Sequence, residues 1–429
     1  MCRFSEVFKL NDQAIAVLVF GLTYLLLILK RERSLYFVWG ASLLLVVMGI
    51  ITINQAWQAL NWNVLGLFFG TMILAELFVA SGAPAYMATR MVNASGSAAL
   101  SLLSIVVFSG LLSAVVENVA TVFIVAPLAL ETARKVKASP VPVLISVAIA
   151  ANMQGVATMI GDSPSILLAT AANLTFMDFF WVNNRPGIFF AVQIGFIAAM
   201  FIVFRFLRNA KGFVSKMELP SVYSWTPTLF IGLLVMLLAG SSFVPGRPDF
   251  LPGLIAVAVG LVALLWNYSN DLFAMELTKL DWQTFFLLAG LFVLISSLTV
   301  TGVITEVANV MTVLAGDSLL TAFLLIVVVS VAVSALVDNI PYTIAMLPVA
   351  QLLAERMGVN PLLFMFAFVL STSLGGNITP IGASANVVAV GMLRRQGHSV
   401  SFGEFMKIGV PTTIVAVTIG AAFLWFIWL

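Results

Sequence analysis

The chain has 429 residues, 62% hydrophobic and 9% charged, with a net charge of +2 and a mean hydropathy of +1.12. Twenty basic and 18 acidic groups cannot cover a water-facing surface of that size, which excludes a soluble enzyme, a nucleic-acid binder and a disordered protein. The lone Cys2 and the lone His398 exclude an internal disulfide, a zinc or iron–sulfur cluster and a multi-histidine metal centre.

The composition therefore predicts an all-α polytopic membrane protein. Apolar runs of spanning length occur at 13–29, 35–53, 62–80, 186–206, 227–243, 251–267, 283–301 and 409–429. The first is followed by Lys30, Arg31 and Arg33 rather than by a cleavage site, so it reads as a span and not as a signal peptide. Two stretches, 97–131 and 318–354, carry a polar tip in the middle and predict re-entrant hairpins. Two more, 141–176 and 361–393, are interrupted by glycine, proline and small polar residues and predict broken helices. Irregular main chain at membrane depth survives only where protein or a water-filled cavity surrounds it. The expectation is about ten crossings plus these hairpins and breaks.

Lysine and arginine set the orientation. Fifteen fall on one face, among them Lys30, Arg90, Arg134, Lys135, Lys137, Lys279, Arg394 and Arg395. Five, namely Arg3, Lys9, Arg185, Arg247 and Arg356, fall on the other. The positive face is expected in the cytoplasm and both termini outside, in the cytoplasmic (inner) membrane of a prokaryote.

The halves of the chain repeat. Asn61-Trp62 answers Asp281-Trp282 and Gly82 answers Gly302 at an offset of 220. Glu117-Asn118 answers Asp338-Asn339, Pro127 answers Pro348, and Ile160-Gly161 answers Ile381-Gly382 at 221, while Phe176 and Asp178 answer Phe402 and Glu404 at 226. Five crossings in each copy place the second upside down relative to the first, as in secondary transporters. The expected organisation is a first repeat at 1–206, a cytoplasmic linker at 207–226 and a second repeat at 227–429.

Four of the 18 acids fall at membrane depth: Glu76, Glu117, Asp162 and Asp338. No lysine or arginine shares that depth, so each acid must be protonated, face a cavity or hold a cation, and all four are candidates for proton coupling. Glu76 has no acid opposite it; Ser296 stands there. The acids at the tips also have a plain reading as helix caps. The breaks, at 155–165 and 375–386, combine glycine, proline, serine, threonine and asparagine. Glycine lets the main chain approach a ligand, and the hydroxyl and amide groups supply neutral ligands. No P-loop pattern occurs, so ATP is not expected to bind. No cofactor is expected beyond a coupling ion, Na+ or H+. No metal is expected other than transported Na+.

Four motifs carry a resemblance. They are ENVATVFIVAPLALE at 117–131, ATMIGDSPSILLA at 157–169, VDNIPYTIAMLPV at 337–349 and GGNITPIGASANVVAVGM at 375–392. Over about residues 60–430 the chain resembles the ArsB/NhaD ion transporter superfamily, in its P-type permease branch with a citrate-transporter-like domain. That superfamily is related in fold to the divalent-anion/sodium symporters. The resemblance implies elevator-type alternating access, a mobile domain bearing hairpins and breaks, and a homodimer. A soluble ATPase partner is compatible with it but not required. Carried over by motif, Glu117, Asn118 and Thr121 belong to one tip and Asp338, Asn339 and Thr343 to the other. Thr158, Gly161, Asp162 and Ser163 would line the first break, and Asn377, Thr379, Ser384 and Asn386 the second. This sequence departs from the family in having Ser163-Pro164 after Asp162, and Val156 where the second half has Asn377.

Three transport chemistries remain open. Proton-coupled efflux of arsenite or antimonite suits a neutral polar pocket, because these solutes are uncharged hydroxides. Sodium–proton antiport suits buried acids without a buried base. Sodium-coupled symport of a dicarboxylate or oxyanion fits less well without a buried arginine.

Overall fold

The computed structural model describes residues 2–30, 33–210, 216–270 and 280–429, with the side chains of 2–11 set aside. Arg31, Lys211 and Lys279, and the side chains of Arg3 and Lys9, therefore lie outside the described residues.

The first half comprises α1 (Cys2–Leu29), α2 (Ser34–Val47), α3 (Ile53–Ala59), α4 (Trp62–Ala80), α5 (Ala83–Asn93), α6 (Ala98–Ser113), α7 (Asn118–Lys135), α8 (Pro140–Gly155), α9 (Ser163–Ala171) and α10 (Ile188–Leu207). The second comprises α11 (Thr226–Ser241), α12 (Leu251–Asn270), α13 (Trp282–Val300), α14 (Val303–Ala315), α15 (Leu319–Ser334), α16 (Asn339–Arg356), α17 (Pro361–Gly375), α18 (Ser384–Arg395) and α19 (Phe402–Trp428). Among the described residues, seven helices are individually long and apolar enough to cross a bilayer. Only helices satisfy every main-chain group locally in hydrocarbon, which is why so apolar a chain takes this form.

The repeat is visible in the elements themselves. α4 and α13 have 19 residues each, α6 and α15 have 16, and α7 and α16 have 18. Asn61 and Asp281 cap α4 and α13 through the amides of Val64 and Thr284. Gly82 and Gly302 open α5 and α14 at φ of 75° and 80°, a left-handed turn that glycine adopts without strain.

The closing helices establish the inversion. A Cβ on Gly195 of α10 would meet the main chain of Ala416, and one on Gly420 of α19 would meet the carbonyl of Ala191. Position rises on one helix as it falls on the other, so these equivalent helices run antiparallel. Two equivalent antiparallel neighbours are related by an axis across the helices, which turns one copy over.

Close main-chain approach holds the outer pairs together, because lipid provides no hydrophobic drive between helices. A Cβ on Gly66 of α4 would stand 3.3 Å from the main chain of Gly253 of α12, and one on Gly260 would stand 3.0 Å from the Gly70 carbonyl. In the matching pair, Trp39 of α2 donates its indole N–H to the Phe286 carbonyl of α13 at 3.0 Å. α8 and α17 occupy the centre; the span Pro361–Ile378 is 89% buried. A helix apolar on every side belongs in an interior.

The boundaries differ from the sequence expectation at identifiable signals. The run 35–53 ends at Val47, because Gly49 turns at φ 76° and a capping box of Thr52 and Gln55 starts the exposed α3. The last span begins at Phe402 rather than 409, since Ser401 caps it and Pro411 is accommodated inside the helix. α5 and α14, amphipathic and short, were not anticipated. A two-residue antiparallel hairpin, Trp181–Val182 against Arg185–Pro186, also interrupts the first half, with Asn183 and Asn184 in left-handed conformations.

Gly70→Ala is expected to force α4 from α12 and cost about 1–3 kcal/mol, as overpacking does. Gly232→Ala, where a Cβ meets nothing within 4 Å, is expected to leave stability unchanged. Thermal melting of the two variants in detergent checks this.

Candidate functional site

The two hairpin tips are built alike. Glu117 caps α7, its Oε2 accepting from the amides of Val119 at 2.8 Å and Ala120 at 3.2 Å. Asp338 caps α16, its Oδ1 accepting from the Ile340 amide at 3.3 Å. The next residue turns back in each case: Ser113 donates to Asn118 Oδ1 and Ser334 to Asn339 Oδ1, both at 2.6 Å. The capping reading of the tip acids therefore holds, and it does not remove them from the cavities described below.

The breaks seat against the tips. The hydroxyl of Thr158 donates to the Ala114 carbonyl and that of Thr379 to the Ala335 carbonyl. A Cβ on Gly161 would fall 2.8 Å from the Ser113 carbonyl, and one on Gly382 would fall 2.8 Å from the carbonyls of Ser334 and Ala335. Glycine is required at both places because unwound main chain packs directly on unwound main chain. Carbonyl oxygens of the tips and of Gly155 or Gly376 thus converge at each break, a hard-oxygen environment of the kind small cations prefer.

Beyond that common frame the copies diverge. Asp162 caps α9, with Oδ1 accepting from the Ser165 amide at 2.9 Å and hydroxyl at 2.6 Å. The equivalent position is Ala383. There Asn386 closes the break, donating through Nδ2 to the carbonyls of Gly376 and Thr379, both at 2.9 Å. Ser384 donates to Asp338 Oδ2 at 3.0 Å, tying the second break to its tip.

The halves also reach across to each other. Asn152 of α8 donates through Nδ2 to Asn377 Oδ1 at 2.8 Å and Asn386 Oδ1 at 2.9 Å. Its repeat equivalent, Ser373 of α17, donates to Asp162 Oδ2 at 3.5 Å. Asn377 is fully buried, and its Nδ2 has no hydrogen-bond partner among the described residues.

Two cavities meet here. The larger, about 690 Å³, lies between α4, the first tip, the first break and the start of α13. Its wall includes Glu76, Glu117, Gly161, Asp162, Ser163 and Asp281 and, among the described residues, no lysine or arginine. The smaller, about 30 Å³, lies between the two tips and is lined by Glu117, Asn118, Asn152, Asp162, Ser163, Asp338, Asn339 and Ser384 among others. Glu117, Asp162 and Ser163 border both.

The remaining sequence candidates line neither cavity. Thr121 donates to the Val116 carbonyl at 3.3 Å, and Thr158 and Thr379 brace the breaks. Thr343 is fully buried, and its hydroxyl has no partner among the described residues. Asn377 and Asn386 form the amide cluster behind the second break. Two residues at the site were missed as candidates. Asp281, in sequence a repeat landmark, caps α13 through Thr284 at 3.0 Å and also borders the larger cavity. Asn152 sits mid-helix in an apolar run, and the available signal was a polar residue there matched by Ser373.

Comparison with known proteins agrees with this architecture. The solved transporter YdaH of Alcanivorax borkumensis superposes with a TM-score of 0.60 at 15% identity, covering 97% of each chain. MtrF of Neisseria gonorrhoeae, described as illuminating a class of antimetabolite efflux pumps, gives 0.56 at 14% identity over 89% of this chain and 83% of that one. In sequence, the uncharacterized transporter Rv2684 of Mycobacterium tuberculosis is 31% identical over 427 residues, covering 96% of this chain and 97% of that protein. The P protein of Sus scrofa is 27% identical over 498 residues, covering 95% of this chain and 58% of its own length. The sequence profile described as citrate transporter matches residues 24–368. Taken with the inverted helical repeat and its paired tips and breaks, this match makes the chain an integral membrane transporter belonging to the citrate transporter family.

Proposed function

We propose that the protein is a secondary active transporter that exchanges sodium for protons by alternating access, with Glu117 and Asp162 carrying the exchanged charge. The observation that supports this is the larger cavity: four carboxylates, Glu76, Glu117, Asp162 and Asp281, on a wall that carries no basic side chain among the described residues. In a membrane interior such groups are neutralised by a proton or a bound cation, and alternation between the two is antiport. Carbonyl oxygens beside Gly161 complete a cation's shell.

The cavity is lined by residues 280–283, which follow Lys279 in sequence, on the face that the charge distribution assigns to the cytoplasm. In this reading the molecule is open inward, with the small gap leading towards Asp338 as the closed outward route. The hairpins and breaks move against the paired helices α4–α12 and α2–α13 in an elevator stroke. Bare citrate, which the family description names, would meet like charge in this cavity. It would enter only with its charge cancelled by a divalent cation or by protons.

A second reading is favoured by the second break. The amides of Asn152, Asn377 and Asn386, with both N–H donors of Asn377 unspent among the described residues, suit an uncharged hydroxide such as arsenite or antimonite, with the same acids supplying proton coupling.

In proteoliposomes holding an acid-inside pH gradient, added sodium is expected to collapse the gradient. Asp162→Asn is expected to slow that collapse at least about tenfold, the general effect of removing a group that transfers the proton. No response to sodium at any pH, combined with arsenite-driven proton movement or restored growth of arsenite-sensitive cells, would replace the first reading with the second. Citrate-dependent flux that requires magnesium would replace both.

Asn152→Leu removes the donor shared by Asn377 and Asn386 and leaves buried acceptors unsatisfied, at a cost of about 1–3 kcal/mol. Melting in detergent is expected to fall accordingly. An unchanged melting curve would show that the two halves are not coupled through this amide.

A further inference from the structure

We propose that an anionic phospholipid occupies the groove between α5, α6 and α11, its phosphate held by Arg90 and an acyl chain lying along the apolar wall. The groove encloses about 650 Å³, within the size range of ligand sites. Phe78 of α4, Met87 and Met91 of α5, Phe108 and Leu112 of α6 and Ile231 of α11 supply the wall; among the described residues Arg90 is its one charged residue.

α5 is built to present this surface. Ala88 and Val92 are buried against the protein, while Met87, Arg90, Met91 and Ala94 recur at helical spacing and face the groove. Arg90 is exposed, and no carboxylate pairs with it among the described residues. Thr228 of α11 also lines the groove, but its hydroxyl is shielded and has no hydrogen-bond partner among the described residues, which leaves Arg90 as the group that meets a headgroup. Leu111, which also lines the groove, is 53% exposed on a helix that lies in hydrocarbon.

The repeat provides the comparison that selects the headgroup. At an offset of 220, Met87, Arg90 and Ala94 correspond to Val307, Val310 and Leu314 of α14. Val310 is 51% exposed, so the same stripe in the other copy is apolar throughout. Solvation by lipid chains alone accounts for that stripe. It does not account for a single exposed cation in the groove of the copy predicted to face the cytoplasmic leaflet, where anionic headgroups attract basic side chains.

Native mass spectrometry of the purified full chain, titrated with dioleoyl phosphatidylglycerol or dioleoyl phosphatidylcholine, tests this without reference to orientation. One phosphatidylglycerol is expected to be retained about fivefold more tightly than phosphatidylcholine, the effect of one basic residue on an anionic headgroup. Arg90→Gln is expected to bring the two lipids to parity, and Arg90→Lys to keep the preference. Arg134→Gln, also on the positive face but outside the groove, is expected to keep it as well. Ala94→Trp fills the groove from its rim and is expected to abolish retention of both lipids. Equal retention of the two lipids by the unaltered protein would overturn the proposal. So would an equal loss in Arg90→Gln and Arg134→Gln, which is diffuse surface charge, or full retention in Ala94→Trp.

Discussion

The structure depends on one constraint: main chain that leaves the helix inside a bilayer must find its hydrogen bonds within the protein. At each break several residues are unwound at depth, and each is met by a hairpin tip whose own main chain is equally unwound. Thr158 on Ala114 and Thr379 on Ala335, with Gly161 and Gly382 pressed against tip carbonyls, are two executions of the same solution. A side chain at either glycine would separate the layers and strand the groups they satisfy. The need for mutual satisfaction brings tips and breaks into one body, and that body is where the cavities lie.

On this common frame the copies have diverged in charge. Glu76 corresponds to Ser296, Asp162 to Ala383 and Arg90 to Val310. Three of the four acids on the larger cavity, Glu76, Glu117 and Asp162, come from the first copy, and Asp281 comes from the second. At the second break an amide, Asn386, takes the closing part that Asp162 plays at the first.

The two central cross-links give the halves a means of sensing each other. Asn152 reaches the second break and Ser373 reaches the first. A stroke that displaced one break without the other would break these bonds in a buried setting, where unsatisfied amides are costly. The breaks are therefore expected to move together.

How much of this could be read from the chain alone varies with the range of the interaction. Spans such as Trp62–Ala80 and Leu251–Asn270 followed from apolar length, a local property set by bilayer thickness. The tips and breaks followed from acids, glycines and prolines set in apolar surroundings, and the repeat offset paired them. The end of α2 at Val47, the short α5 and α14, and the strand pair near Asn183 escaped because turn geometry decides them within two or three residues, against a hydropathy signal averaged over many. Asp281 looked like a cap, and is one; only packing against Glu76 and Glu117 around one cavity gave it acidic company. Asn152 lies 225 residues from Asn377, and no periodicity links them. The sequence by itself determined that the chain spans a membrane, in two copies, with polar interruptions that cannot face lipid. The tertiary structure decided which of those interruptions meet, because contacts between inverted halves arise from how helices pack and not from their order along the chain.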